Sequence, residues 1–408
     1  MKFPPYIRKI KNSPLLSNPD FFRLWGVCAF NSLGMTGEQV VVGSILFNLT
    51  GSSEWIGIAL ALYFLPIAIF GNLSGIISDM MNRSKLLFRV EIFIFLNLGV
   101  FIVAVEFGKI EVWSVFLLTF ISGALRAMHS PVKASYTYDL LGGDYVVQAL
   151  GVLNISIRLG MLIGALVTGY VIEYLGNTQA LLCLFGSHFL ALAFISFLKN
   201  PGISPTRVHS SMLKTMREYI LELRINRYVL IIIAITGCVE IFGFSFATAL
   251  PELSDGRFNK GADGLGMLHA SRAIGGLTAG VILASMFSLK SRGSLYIGVI
   301  FIFGAGMVFL SIADTFLIAC AAILLIAMMA TSSDILSQSI LQLNVPDHLR
   351  GRAMGTWSLA IGFAPIGHLE MGYLILFLGL SGALLVNGIA LITIGVVVLL
   401  FIPTLRKF

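Results

Sequence analysis

Residues 379–402 read GLSGALLVNGIALITIGVVVLLFI, a run that contains no charged side chain. As an α-helix this run would measure about 36 Å at 1.5 Å per residue, which is enough to cross the ~30 Å hydrocarbon core of a bilayer. A membrane strand would instead alternate apolar and polar residues over about 10 positions, and this run does not alternate. We therefore predict a transmembrane helix here.

The rest of the 408-residue chain repeats this pattern. Hydrophobic residues make up 57% of the sequence and charged residues only 12%, whereas soluble domains carry about 25% charged residues. Apolar runs broken by Gly, Pro, Asn and charge predict an all-α membrane protein of twelve transmembrane helices. The predicted spans are 21–49, 55–78, 86–107, 112–130, 146–173, 179–198, 228–250, 264–288, 293–313, 315–336, 351–377 and 379–402.

The basic residues predict the orientation of these spans. With the N-terminus in the cytoplasm, inner segments and adjoining helix ends hold 22 of the 27 Lys and Arg residues. The outer loops hold only Lys109, Arg257 and Lys260. Cytoplasmic loops of membrane proteins are enriched in Lys and Arg, so both chain ends are predicted to be cytoplasmic. The same distribution argues against nucleic acid as the partner of the net charge of +7, because no soluble basic face exists.

The longest polar stretch, about 199–227, divides the chain into two sets of six spans. We predict a six-helix bundle in 1–198, a cytoplasmic linker, and a second, pseudo-symmetric six-helix bundle in 228–408. At an offset of about 203 residues, Asp144 in GGDYVVQALG falls opposite Asp347 in VPDHLRGRAMG. Parallel repeats of this kind place a substrate site between the halves near the midplane of the membrane.

Residues 75–85, GIISDMMNRSK, lie between the second and third predicted helices. This segment resembles the loop signature G-x-x-x-D-R-x-x-R-[RK] of the major facilitator superfamily, a class of transporters. Gly75 and Asp79 stand at the expected positions, Arg83 contributes to the basic cluster, and Met80 replaces the usual arginine. The resemblance implies a gate in which Asp79 pairs with Arg83 or caps a neighbouring helix and holds the halves closed. An ordinary topogenic loop is the alternative.

Further segments resemble the macrolide-efflux and enterobactin-exporter-like branch of that superfamily. Residues 130–140, SPVKASYTYDL, are similar to its N-P-A-R-Q-A-x-x-P-D-L stretch, and 345–352, VPDHLRGR, to the second-half counterpart. The opening 18–25, NPDFFRLW, and 49–52, LTGS, also look like this branch. The resemblance covers essentially the whole chain, implies a bacterial cytoplasmic (inner) membrane location, and does not identify the substrate.

In this superfamily helices 1, 4, 7 and 10 line the central cavity, and here they carry Glu38, Arg126, Glu240 and Asp334 respectively. A charge at a helix centre costs about 2.5 to 3.5 kcal/mol on insertion scales, so each needs an interior role. Glu38 and Glu240 are candidates for proton coupling or for binding the cationic part of a substrate, and hydrogen-bonded structural carboxylates are the alternative. Arg126 and Asp334 are candidates for a gate pair, or for independent anchors at the inner helix ends.

Other intramembrane polar residues complete the candidate set. Asn31 shares a helical face with Glu38, and Gln39 lies beside it. In helix 11, His368 and Glu370 are both candidates for the cavity, and His368 is a secondary candidate for proton handling. Residues two apart do not share a face, so one of them could face the cavity while the other faces a helix partner. Arg158 in helix 5 and Arg272 in helix 8 flank the inter-half interface that the resemblance implies. Helix 5 also contains Gly160, Gly164 and Gly169, which permit close helix packing, but it lacks the proline typical of antiporter-type members.

Catalytic and nucleotide-binding signatures are absent from the sequence. It contains no G-x-x-x-x-G-K-[ST], HExxH, G-x-S-x-G or CxxC motif, so we predict no enzymatic activity, cofactor or metal. The hypothesis is a monomeric secondary transporter in the lipid bilayer that exports a small amphipathic molecule, of the drug, macrolide or siderophore type, by proton-coupled alternating access. A facilitator, importer or lipid flippase, and a non-transporting scaffold or receptor, are the alternatives.

Overall fold

A computed structural model of the chain describes residues 18–142, 145–202, 227–285, 291–343, 360–402 and 405. Every regular element in these residues is helical. A 3₁₀ turn, Phe244–Ala249, and a π turn, Glu252–Arg257, follow α7. The helices are α1 Pro19–Thr50, α2 Ser53–Met80, α3 Arg83–Glu106, α4 Val112–Leu141, α5 Val146–Leu175, α6 Asn177–Ser196, α7 Arg227–Phe242, α8 Gly261–Ser285, α9 Arg292–Ser311, α10 Phe316–Leu343 and a final run, Ala364–Phe401.

The final run consists of two helices that meet at Gly379. This glycine has φ 71° and ψ 168°, a conformation that a side chain strongly disfavours. The chain therefore turns at the boundary predicted between the last two spans, and we call the helices before and after Gly379 α11 and α12. α1 to α6 are the N-terminal helices below, and α7 to α12 are the C-terminal helices.

The ends of α1 show why these helices begin and stop where they do. Asn18 caps the start, because its side-chain oxygen accepts hydrogen bonds from the backbone N–H groups of Asp20 and Phe21, at 3.0 and 3.3 Å. Gly51 ends the helix in the left-handed region, with φ 65°, and its N–H donates to Phe47. A polar N-cap and a C-terminal glycine satisfy backbone groups that a helix leaves open.

Within the described residues, nine helices are long and apolar enough to cross a membrane, the Ala364–Phe401 run counting once. α1 and α8 are not among the nine, since charged and small residues lower their hydropathy, yet both coincide with predicted spans. The all-α membrane architecture predicted from the sequence is thus confirmed. The total of twelve spans, the orientation and the division into two pseudo-symmetric bundles stay predictions.

Exposed side chains mark the surface that faces lipid. On α3, Phe93, Leu96, Val100 and Val103 follow one another at helical spacing and are each more than half exposed. Such a continuous apolar face is stable in hydrocarbon and not in water. Exposed Trp113 and Tyr174 lie at one end of the helices and exposed Tyr138 and Tyr145 at the other. Aromatic residues of this type favour the two membrane–water interfaces.

Glycines let α5 pack directly against its neighbours. A Cβ at Gly160 or Gly164 would lie 2.1 or 2.3 Å from carbonyl oxygens of α1, and one at Gly169 would lie 2.6 Å from a carbonyl oxygen of α8. Only glycine permits backbones to approach this closely. α5 therefore joins the N-terminal helices to the C-terminal helices.

The chain after α6 is fastened to the N-terminal helices. The carboxylate of Asp20 accepts hydrogen bonds from the backbone N–H groups of Lys199 and Asn200. The Tyr136 hydroxyl donates to the Asn200 carbonyl at 2.8 Å. The backbone N–H of Arg83 donates to the Gly202 carbonyl. Burial alone would raise the pKa of Asp20, but the N–H of Asn200, the side chain of Arg23 and the N–H of Lys199 hold it below its ordinary value. The predicted linker thus begins as part of the N-terminal half, and residues 203–226 lie outside the described residues.

Candidate functional site

A cavity of about 200 Å³ lies between the N-terminal and the C-terminal helices. α1 and α2 contribute an almost wholly apolar wall. The opposite wall comes from α7 with the 3₁₀ turn after it, and from α8, α10 and α11, and it carries every charged lining residue. The apolar wall includes Val42, Ile56, Leu60 and Phe64, and the polar lining consists of Gln39, Glu240, His269, Arg272, Asp334 and His368.

Glu240, Arg272 and Asp334 bring three formal charges to this cavity. Glu240 is 5% exposed, and the charges that act on it are those of Asp334 and Arg272. Arg158, on α5, acts on Asp334 from the N-terminal side. Among the described residues, none of these four side chains forms a salt bridge. The cavity therefore holds acidic and basic groups that are close but not paired.

Two histidines border the cavity beside these charges. His368 lies in α11 and its Nδ1 is 3.0 Å from the hydroxyl of Thr248, while its ring stacks on Phe64 of α2 at 5.2 Å between centroids. His269 lies on α8, one turn before Arg272, and is buried. His368 thus contacts both walls of the cavity at once.

Glu370 faces away from the cavity. Its carboxylate accepts a 3.0 Å hydrogen bond from the amide of Asn387 on α12, and the same amide lies 3.2 Å from Ser245. The two-residue spacing from His368 predicts that one of the two side chains faces the cavity and the other a helix partner, and Glu370, a predicted cavity candidate, is the one that faces a helix partner. Glu370 serves as a tie between α11 and α12.

Glu38 lies in an ion pair inside the N-terminal helices. Its carboxylate is 2.9 Å from the guanidinium of Arg126 and accepts a short hydrogen bond from Ser122. The charged side chains of Arg126 and Glu38 are 5% and 8% exposed. The gate pair between Arg126 and Asp334 is therefore not formed in the described part of the chain. The cause is the rotation of α1, which turns Glu38 toward α4 and the next residue, Gln39, toward the cavity.

A second buried network lies beside this ion pair. Glu91 of α3 is fully buried, and its two oxygens lie 2.7 Å from His188 Nδ1 and 2.7 Å from the amide of Asn31. His129 Nε2 is 3.7 Å from the same carboxylate. Asn31 thus binds Glu91 and does not appear in the lining of the cavity as described. Sequence reasoning missed Glu91, His129 and His188, although each interrupts an apolar run.

The residues predicted as a gate lie at the Asp20 end of the helices, where α1 begins. Gly75 and Asp79 are in the last two turns of α2, and their side-chain surroundings lie outside the described residues. Arg83 forms an ion pair with Asp139 of α4 and donates to the Ser135 carbonyl at 3.3 Å. Two of the family-like segments, 75–85 and 130–140, are therefore bound to each other through this arginine.

At the opposite end, which we call the Glu252 end, the N-terminal and C-terminal helices are in direct contact. The Ser53 hydroxyl donates to Glu252 at 2.6 Å, and Glu173 of α5 accepts from the N–H of Ala262 at 3.0 Å. Burial raises the pKa of Glu252, and the Ser53 hydrogen bond opposes that shift. A Cβ at Gly57 of α2 would be 2.4 Å from the carbonyl oxygen of His368. These contacts hold the N-terminal helices against the C-terminal helices at this end.

Comparison with known proteins identifies the family. Residues 24–366 match the sequence model of the Major Facilitator Superfamily. The chain belongs to the Major Facilitator Superfamily. Macrolide efflux protein A of Streptococcus pyogenes is 24% identical over 70% of this chain and 71% of its own length. The enterobactin exporter of Escherichia coli O139:H28 is 23% identical over 97% of this chain and 95% of its own length.

The solved structures support the same fold. The crystal structure of the nucleoside transporter NupG superposes with a TM-score of 0.74 at 13% identity, over 96% of this chain and 100% of that one. Membership of the Major Facilitator Superfamily makes this protein a multi-pass membrane protein of a bacterial transporter family and a secondary transporter, not an enzyme.

Proposed function

We propose that the protein exports a small amphipathic molecule in exchange for protons, by alternating access of two six-helix bundles about the central cavity. The bundles are residues 1–198 and 228–408, joined by the segment 199–227. The cavity supports this proposal because its two walls come from the two halves of the chain. Sites between repeats are where secondary transporters bind substrate. The relatives, a macrolide efflux protein and an enterobactin exporter, agree with export.

The observation that carries proton coupling is the pair Glu240 and Asp334. Each carboxylate faces the cavity and forms no salt bridge among the described residues, and each lies within the field of the other. Two neighbouring carboxylates in a confined site repel when both are charged, so one readily binds a proton. Binding of a proton changes the charge of the cavity wall that faces the substrate. The binding of protons and the binding of substrate therefore depend on each other.

The contacts at the Glu252 end support one state of the cycle. We propose that the Asp20 end faces the cytoplasm together with both chain termini, as the distribution of Lys and Arg favours, in a bacterial cytoplasmic membrane. The contacts Ser53–Glu252 and Glu173–Ala262 then close the outer side. Outward opening breaks both contacts, and the Arg83–Asp139 pair keeps the inner ends of α3 and α4 together while the N-terminal bundle moves.

Reconstituted vesicles test the coupling. With the cytoplasmic face outward, an acidic interior is expected to drive uptake of labelled enterobactin, because protons leave as substrate enters. Glu240→Gln is expected to reduce this gradient-driven uptake on the order of 10-fold, since an amide cannot carry the proton that the carboxylate binds and releases. The measurement is initial uptake rate with and without the gradient.

Glu370→Gln is the matched control, because Glu370 is also an intramembrane carboxylate but bonds Asn387 instead of facing the cavity. It should retain gradient-driven uptake. Uptake that ignores the gradient in the unmodified protein would instead favour a facilitator. Equal losses in both variants would remove Glu240 from the coupling site.

A further inference from the structure

We propose that the substrate is bound as an anion, through a carboxylate or similar oxyanion that Arg272 binds and Arg158 attracts. This inference rests on the proposed transport function and adds to it the charge of the transported molecule. It is carried by the position of the Arg272 guanidinium in the lining of the central cavity and by a second guanidinium, that of Arg158, packed one turn further along α8.

Arg272 lines the cavity and has no carboxylate partner at salt-bridge distance among the described residues. The contact recorded for its guanidinium is with the ring of Phe246, 5.7 Å from the centroid. A contact with an aromatic ring uses none of the N–H donors of the guanidinium for a hydrogen bond to a carboxylate. A guanidinium presents five N–H donors in a planar fork that fits a carboxylate with two parallel hydrogen bonds.

Arg158 brings a second guanidinium to the same face of α8. Its Nη1 atom lies 2.7 Å from the point where Gly276 would carry a Cβ, and Gly276 is four residues, about 6 Å, beyond Arg272. The absence of a side chain at Gly276 is what lets Arg158 pack there. The two positive charges are close enough to repel each other. Such an arrangement is stabilised by an anion that binds between them.

The acidic residues of the cavity do not cancel this preference. Glu240 and Asp334 are the carboxylates that act on the two arginines, but neither forms a salt bridge with them among the described residues, and a carboxylate can lose its charge by protonation. An arginine cannot lose its charge under the same conditions. Arg272 therefore stays a charged donor in every protonation state of the cavity, including the proton-free state that binds substrate during exchange.

The opposite wall indicates what the remainder of the substrate looks like. Val42, Ile56, Leu60 and Phe64 present an apolar surface across the cavity from Arg272. A molecule with one anionic end and an apolar or aromatic body satisfies both walls, whereas a cationic amphiphile would place its charge beside the guanidiniums.

Three fluorescent probes with one apolar body and different charges test this inference. They are dansylglycine, which is an anion, dansylglycinamide, which is neutral, and dansylcadaverine, which is a cation. With the purified full chain in nanodiscs, dansylglycine is expected to bind roughly 10- to 100-fold more tightly than the other two, as a charge-assisted hydrogen-bond pair predicts. Arg272→Gln should bring its affinity down to that of dansylglycinamide.

Arg272→Lys keeps the charge but loses the fork, so an intermediate affinity is expected and separates charge recognition from misfolding. Arg89→Gln is the control, because Arg89 is an exposed arginine of α3 far from the cavity lining, and it should bind like the unmodified protein. Equal affinities for the three probes, preference for the cation, or no saturable binding of dansylglycine would each overturn the inference. Each of these binding results would count against the anionic substrate and not against proton-coupled export, which the vesicle assay measures separately. Conversely, anion-selective binding in a protein without proton-driven flux would count only against the proposed coupling.

Discussion

Replacing Arg126 by methionine is expected to destabilise the protein by about 3 to 5 kcal/mol, because it leaves Glu38 charged, buried and without its partner. The two groups are 2.9 Å apart and at most 8% exposed. The double variant with Glu38→Met as well should recover much of this loss, since it removes both charges together. Reversible unfolding in mixed detergent micelles, followed by tryptophan fluorescence, measures both values.

Arg89→Met is the control for Arg126→Met, since Arg89 is exposed and its replacement should change stability by less than about 0.5 kcal/mol. If the double variant is no more stable than the single one, Glu38 and Arg126 do not depend on each other. In that case the ion pair would not be the reason that Glu38 is tolerated inside the N-terminal helices.

Replacing Gly57 by valine is expected to reduce transport on the order of 10-fold without unfolding the protein, which corresponds to about 1.4 kcal/mol against the closed state. A Cβ at this position would lie 2.4 Å from a backbone oxygen of α11, so α2 and α11 must move apart. The Glu252 end can then no longer close. Flux in the vesicle assay measures the loss.

Labelling at Ser53 gives an independent measure of the same change. Ser53 is 1% exposed in the closed end, so Ser53→Cys, with the exposed Cys183 replaced by serine, should react faster with a membrane-impermeant thiol reagent when Gly57 is valine. Gly298→Val on α9 is the matched control, because nothing lies within 4 Å of a Cβ there. Unchanged labelling and flux in Gly57→Val would show that this contact does not limit closure.

Much of the fold was predictable because lipid imposes simple rules on sequence. Apolar length and turn residues located the helices, and Gly379 and Gly51 end helices where the sequence indicated breaks. Glu240 was predicted as a cavity residue because a charge in an apolar run needs an interior role, whereas Arg272 was predicted at the inter-half interface and Asp334 in a gate pair or as an anchor. Their assembly in one cavity required the packing of α7, α8 and α10, which sequence spacing does not give.

The rotation of each helix about its own axis was not predictable. Glu38 and Gln39 are adjacent, yet one pairs with Arg126 and the other faces the cavity. Glu91 was not predicted as a site residue because it lies on α3, which is not one of the helices that the resemblance places at the cavity. Since its partners His188 and Asn31 come from α6 and α1, only three-dimensional packing shows that these separate polar residues form one network.

The unequal walls of the cavity separate two kinds of selectivity. The charged side chains that line the cavity all belong to the C-terminal helices, so under the proposed anion binding a molecule held by Arg272 would stay with that half while the apolar wall of α1 and α2 moves past it. Substitutions at Leu60 or Phe64 would then change which molecular shapes are accepted without altering which charges are. Substrates of the same charge but a different shape could thus be accepted after substitutions in the apolar wall alone, while Glu240, Arg272 and Asp334 stay unchanged.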